Sequence, residues 1–381
     1  MTGGRLSLIL LPTLRCNAAC DYCFESKSRD RLTLDSLKVL VGKVLDYMDE
    51  KEIAGATFYW QGGEVMTLSP DWLLRARDVI GELALKAGKE VAHGLQSNLV
   101  AYHGGWDRVL HEMFGSSTGT SMDFPNRYRK LQSGSPQDYE RLWRRKAKEA
   151  MEAGIQVGVI AVANEETLKQ GAARFYSYFV EAAGVADFQV NTPFPGGEPT
   201  DSKKEFPLNP EDLIRFFKDL ADIWMERGFS RGIRVGPLDH LLDYFLDEPH
   251  VMPCIWQENC AREFVCVDPR GNVAQCDCWV ASYPDFHFGN LLREESLGKL
   301  LDKSPVRRRF LERPGRLARD DVCLECPWLG LCHGGCPVRA YTVHGDLHRR
   351  DPYCGVYCAL FEHMEQWAAR WASRRSEASR S

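Results

Sequence analysis

The sequence predicts an α/β fold: a partial (β/α)6 TIM-like barrel followed by a small cysteine-rich domain. Three observations predict it. Short apolar runs alternate with amphipathic helical stretches, the pattern of parallel strands joined by crossover helices. Six such units occur, where a closed barrel has eight. Eleven of the fourteen cysteines then crowd between Cys254 and Cys358, and none lies between residues 24 and 253.

The elements follow in order. Arg5 to Leu11 is an apolar run bounded by Gly and Pro, hence a short buried strand. Thr33 to Lys51 has helical periodicity, with Thr33 or Asp35 as its N-cap. Gly55 to Trp60 is a second strand, ending in Gln61-Gly62-Gly63-Glu64. A helix spans Asp71 to Ala87, and a third strand Val91 to Leu99. Gly119 to Met122 is the fourth strand, ending at Asp123. A charged helix, Pro136 to Gly154, precedes the fifth strand, Gln156 to Ala163. A helix at Glu166 to Ala183 leads to the sixth, Asp187 to Thr192. Pro193 to Pro210 loosens the pattern. Helices follow at Pro210 to Arg227 and Leu238 to Leu246, and an amphipathic helix at Leu360 to Arg375 frays into a basic, Ser-rich, disordered end. The expected domains are 1–240, 241–365 and a tail at 366–381.

Composition narrows the class. The 381 residues are 44% hydrophobic and 27% charged, ordinary for a folded protein and unlike a disordered or collagenous chain. Lys and Arg minus Asp and Glu give 48 − 53 = −5, which argues against a whole-chain grip on nucleic acid. The apolar run Leu6 to Pro12 is far shorter than the roughly 20 residues of a spanning helix, and lacks a secretory signal's cleavage site. A cytoplasmic protein with no membrane partner is expected. In such a chain clustered cysteines more often bind metal than form disulfides.

Cys16-x3-Cys20-x2-Cys23 directly follows the first strand. Three thiolates on one tight loop hold three irons of a four-iron cluster and leave the fourth open. Zinc in a structural site takes four ligands, and no nearby Cys or His completes them. The other polar motifs also fall at strand ends, where such barrels gather function: Gly62-Gly63-Glu64, Ser97-Asn98 and Ser121-Met122-Asp123. Further on, Cys323-x2-Cys326-x5-Cys332-x3-Cys336 is a dense metal-ligand pattern, with Cys254, Cys260 and Gly271-x4-Cys276 before it and Cys354 after.

Cys16-Asn17-Ala18-Ala19-Cys20-Asp21-Tyr22-Cys23 resembles the signature of radical S-adenosylmethionine (SAM) enzymes. In that family the open iron binds SAM, which is cleaved to a 5′-deoxyadenosyl radical that abstracts a substrate hydrogen. Gly62-Gly63-Glu64 resembles the family's GGE motif. Its glycines would let the backbone approach the ligand, and its carboxylate would pair with the SAM ammonium. Ser121 and Arg129 resemble SAM contacts of the sulfatase-maturase branch. Two positions depart from that branch: Phe124 stands where glycine is usual, and Gln96-Ser97-Asn98-Leu99 replaces Gln-Thr-Asn-Gly.

The second cysteine field resembles the SPASM extension. That resemblance assigns Cys254, Cys260, Cys276 and Cys336 to one auxiliary cluster and Cys323, Cys326, Cys332 and Cys354 to another. It implies three 4Fe-4S clusters in all. Zinc remains an alternative there, because four thiolates also satisfy it. Cys266, Cys278 and Cys358 match no ligand position and read as ordinary buried thiols.

The pattern is closest to anaerobic sulfatase-maturing enzymes and related maturases of ribosomal peptides. In the former, the aspartate after the third auxiliary cysteine, here Asp277, is the proposed catalytic base. The resemblance implies a peptide or protein substrate and an electron donor such as a flavodoxin or ferredoxin; a leader peptide, if used, would have to bind elsewhere or in trans. Cβ hydrogen abstraction would lead to formylglycine or to a cyclophane or thioether cross-link. Small-molecule alcohol oxidation, of the aminoglycoside type, is the alternative. A plain electron carrier fits less well, since it needs neither an open iron nor a SAM pocket.

Overall fold

The computed structural model describes residues 5–193 and 208–378. Six expected strands are present: β1 (Arg5–Leu10), β2 (Gly55–Trp60), β3 (Glu90–Leu95), β4 (Ser117–Ser121), β5 (Gln156–Val162) and β6 (Asp187–Asn191). β1 pairs in parallel with β2, and β2 with β3. β4, β5 and β6 form a second parallel set. A single parallel bridge, Gln96 to Gly119, joins the two. All the C-terminal strand ends therefore face one way.

The crossover helices are α1 (Leu34–Glu50), α2 (Pro70–Ala87), α3 (Asp107–Phe114), α4 (Pro136–Glu152), α5 (Glu165–Tyr176), α6 (Pro210–Arg227) and α7 (Leu238–Phe245). Their starts follow capping chemistry. The Thr33 hydroxyl, not Asp35, accepts the Ser36 N–H and caps α1. Ser135 and Asp138 form a capping box on α4. The single helix expected over Glu166 to Ala183 is interrupted. Gly171 takes φ 80°, and a π-helical turn spans Ser177–Ala182.

Helix α3 and a seventh strand, β7 (Arg234–Gly236), add to the expected elements; β7 pairs in parallel with β6. At three residues β7 is too short to show a period; α3 buries Val109, Leu110, Met113 and Phe114 on one face. Most of the Pro193 to Pro210 stretch lies outside the described residues.

The cysteine-rich segment is not a separate appendage. Its strand β8 (Phe264–Val267) pairs in parallel with β1 and covers that edge. β8 turns back into β9 (Asn272–Ala274), and β10 (Gly289–Asn290) pairs with β9. Beyond this hairpin there is little sheet, and polar groups hold the chain. Buried Arg313 donates to the carbonyls of Leu347 (2.7 Å), His333 (3.2 Å), Gly334 (2.9 Å) and Arg349 (3.0 Å). The last helix starts at Cys354 rather than Leu360 and runs to Ala378, without the fraying expected from residue 375; the last three residues lie outside the described part. It packs on α6 and α7, where Asp222 accepts from His363 (2.7 Å) and Trp367 (2.6 Å). Among the described residues no helix is long and apolar enough to cross a membrane.

Arg313→Ala would strand four carbonyls, all of them on the segment between Cys332 and Cys354. We expect a loss of roughly 3 kcal/mol in stability. Arg313→Lys should recover only part, because an ammonium lacks the planar fork. Unfolding midpoints of the three proteins test this; an unchanged midpoint for the alanine variant would refute it.

Candidate active site

One cavity lies at the C-terminal ends of the strands. The Cys16-to-Lys27 loop after β1, the 61–64 turn after β2, residues 96–98 after β3, Ser121 and Arg129 after β4, and Asn191–Pro193 after β6 all line it. The cysteine-rich segment adds Asp277 and Arg339. Every residue expected to bind SAM, the three thiols of the first loop and Asp277 thus share one wall system.

The cysteine loop is stitched down on two sides. Its backbone pairs with the segment after β4: Ala19 N–H to Lys130 carbonyl (2.8 Å) and Asp21 N–H to Tyr128 carbonyl (2.9 Å). The Gln132 amide donates to the Cys16 carbonyl (2.6 Å), and Lys27 donates to the Ala18 carbonyl (2.6 Å). From the cysteine-rich segment, the Ser282 hydroxyl donates to the Phe24 carbonyl.

The Gly-Gly-Glu turn needs its glycines, but its close approach is to the chain itself. A Cβ on Gly62 would sit 2.6 Å from the Thr13 carbonyl oxygen, and one on Gly63 would sit 2.5 Å from that of Arg15. Gly62 also takes φ 131°. The turn then donates N–H groups to those two carbonyls, from Gly63 (3.0 Å) and Glu64 (2.9 Å). Glu64 is 3% exposed. Its carboxylate accepts from Met66 N–H (2.8 Å), the Ser97 hydroxyl (2.6 Å) and Asn98 N–H (2.7 Å). Burial raises its pKa against these bonds. Asn98 reaches on to Asn17, beside Cys16 (2.7 Å).

Arg129 is buried, unlike a solvated surface charge. Its Nε donates to Asp123 (3.0 Å) and its guanidinium lies 5.3 Å from the Tyr22 ring centre. Asp123 also accepts from the Tyr22 hydroxyl and from Val162 N–H (2.9 Å). Ser121 accepts from the Gln96 amide (3.0 Å). Gln96 crosses at Gly119, where a Cβ would collide with it.

Asp277 opens the short helix Asp277–Ser282. Burial raises its pKa. Glu25 shares the cavity; burial first, and then the charge of Asp277, push it up to about 8. Sequence reasoning missed Glu25 and Arg339. Glu25 carried a faint signal, two residues past Cys23; Arg339 carried none. Tyr59, Trp60, Trp256 and Trp279 do not line the cavity; the three tryptophans are core and Tyr59 is exposed.

Among the thiols, burial pushes Cys16 up to about 12 and also raises Cys23. Such thiols ionise readily only against a cation, as when they ligate metal. Burial first, and then the charges of Cys276 and Cys336, raise Cys260. Burial, Asp351 and Cys276 raise Cys336. Cys323 and Cys332 are raised by burial and both feel Cys354; Cys332 also feels Cys326. Cys266 is fully buried in β8. Cys278 and Cys358 are not ordinary core thiols. Cys278 lies beside Cys276, and half-buried Cys358 lies 4.0 Å from Cys326.

Comparison with known proteins finds similarity in sequence and in fold. The SPASM iron-sulfur cluster-binding domain matches residues 251–327. The chain is 26% identical over 372 residues to the cysteine-type anaerobic sulfatase-maturating enzyme of Clostridium perfringens, covering 94% of this chain and 96% of that protein. Its fold is similar to that of native anSMEcpe with bound AdoMet and Kp18Cys peptide (TM-score 0.82, 22% identity, 97% of this chain and 100% of that chain). It is also similar in fold to Streptococcus suis SuiB bound to precursor peptide SuiA (TM-score 0.60, 16% identity, 92% of this chain and 76% of that chain).

Gly63→Ala must push the 61–64 turn off the Thr13–Arg15 backbone. We expect a loss of about 1–3 kcal/mol together with loss of about four irons, one cluster's worth, from the reconstituted chain. Iron counting and thermal unfolding check this; full iron content at an unchanged melting temperature would count against it.

Proposed function

We propose that this chain is a radical SAM enzyme that modifies a side chain of a peptide or protein. One observation carries the proposal: a single cavity at the strand ends gathers three thiols of one loop, the Gly62-Gly63-Glu64 turn and Asp277 from the SPASM segment. The named activity of the Clostridium perfringens relative, and the peptides bound in the two solved structures of like fold, support it.

The donor sets fit the groups that this function needs. Cys16, Cys20 and Cys23 would hold three irons and leave one open for SAM. Cys254, Cys260, Cys276 and Cys336 would hold a second 4Fe-4S cluster, and Cys323, Cys326, Cys332 and Cys354 a third. When bound, SAM and the first cluster supply a 5′-deoxyadenosyl radical that takes a hydrogen from the substrate.

The chain's own residues do the rest. Gly62, Gly63 and Glu64 hold the cysteine loop at a set distance from the cavity floor. Ser121 and Arg129 would contact SAM, with Asp123 fixing the guanidinium. Asp277 would accept a proton from the target side chain, and the burial that raises its pKa makes it a stronger base. Strand ends and the SPASM segment together shield the site from water. Net loss of two protons and two electrons would give a cyclophane or thioether cross-link, or a formylglycine-type aldehyde from a serine; from a cysteine the thioaldehyde would then take up water and release hydrogen sulfide. A flavodoxin or ferredoxin would supply the reducing electron. Residues 1–240 would form the partial barrel, 241–365 the auxiliary domain and 366–381 the tail.

Anaerobic reconstitution followed by SAM and dithionite tests the enzyme class. We expect about 12 irons per chain and 5′-deoxyadenosine. Changing Cys16, Cys20 and Cys23 to Ala should abolish the cleavage and remove about four irons; cleavage that survives would sink the proposal. Asp277→Asn should still cleave SAM but lower formation of modified peptide by about 10²–10⁴-fold. Equal product from both proteins would remove Asp277 from the role of base.

A further inference from the structure

The proposed ligand scheme uses four thiols at the second auxiliary site, and the fold sets a fifth beside one of them. Cys326 follows the short helix Asp321–Leu324, and Cys358 sits on the last helix one turn after Cys354. The Cys326 and Cys358 sulfurs are 4.0 Å apart.

The separation decides what two of these sulfurs can do. Two thiolates on one tetrahedral metal, with bonds of about 2.3 Å, lie about 3.8 Å apart. A four-iron cluster takes one protein thiolate on each iron, so its ligand sulfurs sit on different corners and stand farther apart. Sulfurs 4.0 Å apart therefore point at the same corner. Only one of them binds it at a time.

We propose that Cys358 is an alternate ligand for the iron corner that Cys326 addresses. This rests on the second thiol set being a four-iron site. In the exchange, the Cys358 sulfur forms a bond to the iron as the Cys326 sulfur leaves. The proton of the incoming thiol passes to the outgoing thiolate. No electron moves, and the cluster keeps four ligands in either state. The two forms differ in which segment is tied to the cluster, the 321–326 turn or the last helix.

The test counts iron, sulfide and zinc in the reconstituted full chain and records electron paramagnetic resonance of the reduced clusters. Cys326→Ser and Cys326→Ala are each read alone and with Cys358→Ser; Cys323→Ala is the control. We expect the Cys326 single variants to keep about 12 irons with a shifted auxiliary signal. The double variants and Cys323→Ala should fall to about 8 irons. Single variants that drop as far as the doubles overturn the proposal. So does a chain that loses all its iron and its helical circular dichroism on losing Cys326, because a reserve ligand would have kept the site filled. Zinc bound by Cys326 and Cys358 together in the wild type also overturns it. A wild type holding about 12 irons separates these failures from failure of the cluster assignment, which would show as about 4 or 8 irons in the unmodified chain.

Discussion

The buried carboxylate of Glu64 ties the cavity together. A carboxylate out of water is costly unless hydrogen bonds compensate it. Here three donors do so, and they come from two different strand ends: Met66 just past β2, and Ser97 and Asn98 past β3. The turn that carries Glu64 is itself bonded to the backbone leading into Cys16. The exits of β1, β2 and β3 are thus bonded to one another. Asn98 extends the same network to Asn17 in the cysteine loop. The two glycines are the condition for this closeness, since any Cβ would meet a carbonyl oxygen.

The second constraint is the edge pairing of β8 with β1. It places a SPASM segment from the far end of the chain against the first strand, so Asp277 enters the cavity wall. Arg339 fixes the opposite wall. It donates to the Thr192 carbonyl past β6 (3.4 Å) and lies 3.6 Å from the Asp351 carboxylate. Asp351 accepts the Cys336 N–H (2.9 Å). The wall after β6 and the backbone at Cys336 are therefore linked through one guanidinium and the Asp351 carboxylate.

The two departures from the sulfatase-maturase pattern have local explanations. Leu99 occupies a position with φ 60°, where glycine is at ease. Its side chain is fully buried, which offsets a backbone cost of about 1–2 kcal/mol. Phe124 does not face the cavity. It stacks on Tyr178 at 4.5 Å and touches Phe175, joining the aromatic core under α5. Both changes alter packing beside the site and leave the polar groups that line it in place.

Strand and helix alternation, the thiol spacing at Cys16, Cys20 and Cys23, and the cysteine field were legible because they are local: period, capping and ligand spacing lie within a few residues. By itself the chain's order of residues determined six parallel strands and the end of the sheet where the polar motifs gather. It did not show β7, which at three residues is too short to have a period. Nor did it show that Arg129 is buried on Asp123, that Glu25 faces Asp277, or that Cys358 stands beside Cys326. Only the tertiary structure decided these: Glu25 and Asp277 come from opposite ends of the chain, Cys326 and Cys358 are 32 residues apart, and Arg129 meets Asp123 within an irregular loop that has no period to read. Such contacts are set by strand pairing and by the burial of polar groups that must find a partner, and no short-range pattern records them.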